Sequence, residues 1–213
     1  MTQRRAPPLG AADGADSAGA DGADDADGAD SADDADSAKL RAEASRLRAL
    51  RQRGDHQDHL PAALALAARA PSDVEARIEA AFGLDRAGDE AAAVRHYDAA
   101  WQLGVPEPLR RRFVVGYGST LRNVGRADEA VVLLTEELAR DPGYAAYTAF
   151  LSLALHSAGH AAAALATMLG CVLDLAERAT GHPGAAGHPL DGFERALGEY
   201  YQELLQTAAP RGP

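Results

Sequence analysis

The sequence predicts an all-α chain: a solenoid of about four helical hairpins with a C-terminal capping helix, preceded by a disordered acidic N-terminal tail. Three observations carry this. Gly54, Gly88, Gly125 and Gly159 are spaced 34, 37 and 34 residues apart, each between two Ala/Leu-rich stretches, and a fixed period near 34 marks a repeat built of paired helices. Past residue 38, apolar residues recur at helical spacing, with no alternating run that would make a strand. Residues 1–38 carry ten Asp against two Arg, and no Val, Ile, Phe, Tyr or Trp. Most of the chain's net charge of −11 therefore sits on a segment with almost nothing to bury.

The elements follow in order. The tail, 1–38, sets single Asp residues between Ala, Gly and Ser and reads as a solubilising, self-repelling linker. A calcium-binding β-roll would need glycine pairs and regular apolar strand positions, which Ala occupies here. The first hairpin covers about 39–71: Leu40, Leu47 and Leu50 share a helix face, Gly54 stops that helix, and Asp55 or Asp58 can cap the next. Pro61 is placed in that second helix's first turn, where a missing N–H is tolerated. The second hairpin, 73–104, opens on Asp73 as N-cap; Val74, Ile78, Ala81 and Phe82 precede the Gly88 turn, and Ala93, Val94, Tyr97, Ala100 and Trp101 follow it. The third, 108–141, has Pro108 in its first turn, Phe113, Val114, Tyr117 and Leu121 before Gly125, and Ala130, Leu133, Leu134 and Leu138 after. The fourth, 143–178, has Tyr147, Leu151 and Leu155, then Ala164, Leu165, Met168, Leu169, Val172 and Leu175. A Gly/Pro-rich loop leads to a cap, 191–207, with Asp191 as N-cap and Phe193, Leu197, Tyr200, Tyr201 and Leu204 on one face. Its other face is polar, as the end of a solenoid requires.

Within each hairpin one pattern repeats: a small residue, an apolar or aromatic one four positions on, a small one three further, then Pro. It reads Ala93, Tyr97, Ala100 and Pro106; Ala130, Leu134, Glu137 and Pro142; Ala164, Met168 and Cys171; and His59, Ala63, Leu66 and Pro71. Ala81, Gly118 and Ser152 each fall seven residues before a turn glycine, where only a small residue lets two helices cross closely; Leu47 takes that place in the first hairpin. These motifs resemble the tetratricopeptide repeat (TPR) family over about 170 residues, and four repeats plus an end helix are similar to small bacterial proteins of that family without an assigned activity. His59 for Ala makes the first repeat degenerate, and Glu137 at a normally small site is a second departure.

The resemblance implies a non-catalytic adaptor whose first helices line a groove for a peptide or protein segment. Counting back from each turn glycine, it places Arg48, Arg51, Ile78, Phe82, Arg112, Val115, Ser119, Arg122, Leu153 and His156 along that groove. Guanidinium forks suit carboxylates, so an acidic peptide is the expected partner, against the simpler reading of the arginines as solvated helix surface. The acidic tail is itself a candidate to fold back on the groove. A homo-oligomeric scaffold, including a homodimer through Tyr200 and Tyr201, is the alternative, and a metal-dependent enzyme the remaining one.

No cofactor, metal or catalytic residue is expected. Asp55, His56, Asp58 and His59 cluster, but no distant donor pair completes a zinc set. His156 and His160 straddle a turn, and His182 and His188 fall in the Gly/Pro loop. Cys171 is the only cysteine, so no internal disulfide forms, and it reads as a packing residue in a reducing compartment. The acidic balance argues against nucleic acid. The N-terminus has no apolar leader segment, and the most apolar stretch, Ala161–Ala176, is too short to span a bilayer. A cytoplasmic location follows from these readings.

Overall fold

A computed structural model of the chain describes residues 26–180 and 193–208. Among them are nine α-helices and no strand: α1 (Ala26–Arg53), α2 (His56–Arg69), α3 (Val74–Ala87), α4 (Glu90–Leu103), α5 (Glu107–Asn123), α6 (Ala127–Arg140), α7 (Ala145–Ser157), α8 (Ala161–Thr180) and α9 (Glu194–Ala208). The expected hairpins α3–α4, α5–α6 and α7–α8 are present, with α9 packed on α8, and α1 and α2 form the first through a shared buried cluster. The Gly/Pro loop and its Asp191 cap lie outside the described residues.

The chain divides between Ala38 and Lys39. On the first side, Ala26–Ala38 is helical, which corrects the expectation of a structureless tail for those residues. Alanine stands at every third position from Ala26 to Ala38, and it is the strongest helix former. Asp residues near a helix start also favour its dipole.

On the second side, the turns explain the period. Gly54, Gly88, Gly125 and Gly159 all have φ between 81° and 88°, a left-handed conformation that penalises other residues. Each closes its helix with the same two bonds. Gly88 N–H reaches the Asp85 carbonyl at 3.0 Å and Asp89 N–H the Leu84 carbonyl at 3.0 Å, and the pair recurs at Gly54, Gly125 and Gly159. This is a Schellman motif used four times. Side-chain caps are less regular. Asp73 accepts from Ala76 N–H at 2.7 Å and Asp89 from Ala92 N–H at 3.0 Å, but Asp55 makes no capping bond and pairs with Arg53 at 3.2 Å instead. Because α2 starts at His56, Pro61 falls one turn later than expected and removes an intrahelical hydrogen bond.

The core is continuous through α3–α7 and aromatic at its centre. Tyr97 contacts Phe82 at 5.9 Å, Phe113 at 5.3 Å and Tyr117 at 5.6 Å between ring centroids, and Trp101 stacks on Phe113 at 6.2 Å. A second cluster joins Ala44 and Leu47 of α1 and Ala63, Leu66 and Ala67 of α2 to Ala76 and Ala80 of α3. Close crossings fall where small residues were expected: a Cβ on Gly118 would sit 2.9 Å from the Leu134 side chain, and Ala81 and Ser152 are buried.

Candidate functional site

Three successive first helices meet at a cavity of about 340 Å³ lined by Arg51 of α1, Phe82, Asp85 and Arg86 of α3, and Arg112, Val115 and Gly116 of α5. Four expected groove residues, Arg51, Phe82, Arg112 and Val115, thus converge. The other six do not line it. Ile78 is a correction: it is 1% exposed and belongs to the core, because its face of α3 turns toward the neighbouring helices. Arg48 bonds Glu75 at 2.7 Å. Ser119 is half-buried; Arg122 bonds Asn123 at 2.7 Å and leaves its Nε buried without a partner. Leu153 and His156 are exposed on α7.

The three arginines of the cavity differ in state. Arg51 is committed: its guanidinium makes two bonds to the buried Glu79 carboxylate, at 2.9 and 3.1 Å, and lies 4.4 Å over the Phe82 ring. Glu79 also meets His59 Nε2 at 3.1 Å. Burial alone would raise the Glu79 pKa, but hydrogen bonds from His59 and Arg51 outweigh it and hold the carboxyl below its ordinary value. Arg112, by contrast, is exposed and makes no hydrogen bond or ion pair among the described residues, and the same holds for Arg86.

Sequence reasoning missed Arg86 and the floor of the cavity. A Cβ on Gly116 would stand 2.6 Å from the Tyr97 hydroxyl and 3.0 Å from Phe82, so this glycine admits both rings. The Tyr97 hydroxyl donates to Asp85 at 3.2 Å. Burial raises the Asp85 pKa despite hydrogen bonds from Thr120 and Tyr97, and burial followed by Asp85 itself raises that of Tyr97. The chemistry here is cationic at the rim and apolar on Phe82 and Val115, with one half-buried carboxyl.

Among the described residues no three His, Cys, Asp or Glu gather as a metal site; His59 turns inward to Glu79 while Asp58 stays exposed. The buried Cys171 thiol sits 3.8 Å from the Ala145 carbonyl, and burial raises its pKa. No described helix is long and apolar enough to cross a membrane.

Paired helices closed by glycine turns, with successive first helices walling a shared cavity, define a helical-repeat protein. The chain belongs to the Tetratrico peptide repeat family, whose match covers residues 74–180, half of its length. That match begins where α3 begins, so the first hairpin stands outside it. No curated protein matches the sequence. Among solved structures, the chain is similar to a mutant of the Thermobaculum terrenum O-GlcNAc transferase, at 23% identity and TM-score 0.55, over 68% of this chain and 27% of that one. It is also similar to the MamA RS-1 ArsTM double mutant, at 16% identity and TM-score 0.52, over 81% of this chain and 98% of that one. The chain therefore spans about a quarter of the transferase's length, and both likenesses speak to the fold.

Proposed function

We propose that the repeat unit is a non-catalytic adaptor that holds a peptide or protein segment at the cavity between α1, α3 and α5. One observation carries the reading: Arg112 and Arg86 stand without ion pairs beside the apolar surface of Phe82 and Val115. Arg51 is neutralised by Glu79 and serves as wall. The fitting ligand is a segment with a carboxylate, from an acidic side chain or a chain end, next to an apolar residue. A charge-assisted bond from Arg112 would orient the carboxylate. The lone buried thiol of Cys171 is in keeping with a reducing, cytoplasmic setting.

The test is a fluorescence anisotropy titration with short acidic peptides, free and amidated at the C-terminus, at low and moderate salt. Arg112→Glu with Arg86→Glu should weaken binding by about tenfold or more. Unchanged affinity in a folded double variant would remove the cavity as the site.

A homo-oligomeric scaffold is the second reading, favoured by Phe193 and Tyr200, which are 64% and 61% exposed at α9. Tyr201, expected to join them, packs instead over Gly170. Light scattering on Tyr200→Asp tests this: a mass identical to the parent's at every concentration would discard it.

A further inference from the structure

A second cleft, sharing no lining residue with the first, opens between α4, α5 and α6. Its volume is about 410 Å³. Trp101, Tyr117 and Leu133 form its floor, and Val132, 57% exposed, stands at its mouth.

The floor is held in place from behind. Trp101 lies parallel to Phe113, at 4° between ring planes, with the Arg110 guanidinium 4.7 Å from its centroid. Tyr117 donates its hydroxyl to Asp98, which Arg126 grips at 2.8 Å. An apolar anchor entering the cleft would meet aromatic surface that need not reorganise, the arrangement that concentrates binding energy in a few contacts. The cleft also falls at the exception in the repeat period, the 37-residue step between Gly88 and Gly125. There α4 and α5 run side by side less extensively than α2 and α3 or α6 and α7 do.

The charge at the rim selects the occupant. Asp128, Glu129 and Glu136 border the cleft, and no cation lines it. Glu129 is satisfied by Arg126 at 2.7 Å, whereas Asp128 and Glu136 are exposed and make no ion pair among the described residues. They lie one turn before and one turn after Val132 on α6, so the two free carboxylates bracket an apolar centre, about 12 Å apart at 1.5 Å per residue.

We infer that this cleft docks a partner segment carrying one large apolar side chain flanked on both sides by Lys or Arg. The apolar residue packs on Trp101 and Tyr117, and the two cations meet Asp128 and Glu136. The chemistry is opposite to that of the Arg112 cavity, so one repeat unit would present an acid-seeking site and a base-seeking site at once.

The probe is a displayed library of short random peptides, selected on the full chain. The recovered consensus is then synthesised with blocked termini and titrated by anisotropy. The expected consensus is an apolar residue between basic ones, bound more weakly as salt rises. Asp128→Lys with Glu136→Lys should weaken it by at least about tenfold, Val132→Asp should weaken it too, and Arg112→Glu should leave it unchanged. All these positions are exposed, and thermal unfolding confirms that each variant is folded. A selection that returns no binder, or an acidic or uncharged consensus, overturns the inference. So does unchanged affinity in the folded double variant, or self-association of the parent that the double variant abolishes, which would make a second copy the occupant. Loss of acidic-peptide binding in the Arg112 variant bears only on the first cavity, so the two sites fail separately.

Discussion

Two residues that break the repeat pattern each turn out to serve a buried ion pair. His59 replaces the usual Ala and reaches Glu79, whose side chain is 0% exposed and which Arg51 also holds. Glu137 stands where a small residue belongs, buried, with Arg110 bonded to it at 2.8 Å and Arg140 at 3.1 Å. Removing one partner of such a pair strands the other without water. Glu79→Gln should therefore cost about 3–5 kcal/mol, read as the shift in a urea unfolding midpoint. The pH dependence has a definite sign. Hydrogen bonds from Arg110 lower the Glu137 pKa, and those to Glu79 overcome its burial with the same result, both below an ordinary 4.5. Carboxylates depressed in the fold contribute stability that is fully present above pH 4.5 and lost as pH falls through their folded values. Acid unfolding should be shallower in Glu79→Gln, and identical acid titrations for variant and parent would contradict the network. The sequence marked His59 and Glu137 as anomalies but not their partners. A charge at an apolar position reports that compensation exists; which arginine supplies it depends on how neighbouring helices cross.

At the scale of the element, the hairpin boundaries were legible because the glycines are required by backbone geometry. Gly88 has φ of 81° and open space where a Cβ would go. Gly88→Ala should thus cost only the left-handed penalty of about 1–2 kcal/mol. Gly118 is the opposite case: it is helical, and Ala would gain about 1 kcal/mol of propensity. Its Cβ would nonetheless lie 2.9 Å from Leu134, which is fully buried and has little room to move. Overpacking of that kind costs about 1–3 kcal/mol, so Gly118→Ala should destabilise on balance. Thermal unfolding of both variants checks this, and a stabilised Gly118→Ala would show that α5 and α6 can separate. The helix starts were less legible. Asp55 occupies an N-cap position without using its side chain, because Arg53 lies within reach and competes for the carboxylate. The extension of α1 back to Ala26 was missed for another reason: residues that bury nothing were read as unable to order, whereas alanine needs no tertiary partner to prefer a helix.

Across the whole molecule, repeats contact their neighbours, so stability is a sum over hairpins and the interfaces between them. The family match starts at residue 74 and leaves the first hairpin outside, yet that hairpin covers Ala76 and Ala80 and supplies Arg48, Arg51 and His59, the three partners of Glu79. Deleting residues 1–69 would remove one such interface, and the side chains it uncovers on α3 are mostly small. The shortened chain should still unfold cooperatively, at a lower midpoint. In it Glu79 would face water instead of being stranded, so Glu79→Gln should cost at most about 0.5 kcal/mol there, as surface changes do. The same substitution in the full chain carries the penalty of a broken buried pair. Comparing the two costs by urea unfolding isolates what the first hairpin contributes. Equal costs would mean that α3, rather than the hairpin packed on it, sets the environment of Glu79. The deletion also strips Arg51 from the wall of the Arg112 cavity while leaving Arg112, Arg86 and Phe82 in place. Acidic-peptide affinity should fall by less than it does in Arg112→Glu, because Arg51 is already neutralised by Glu79 and contributes surface rather than charge.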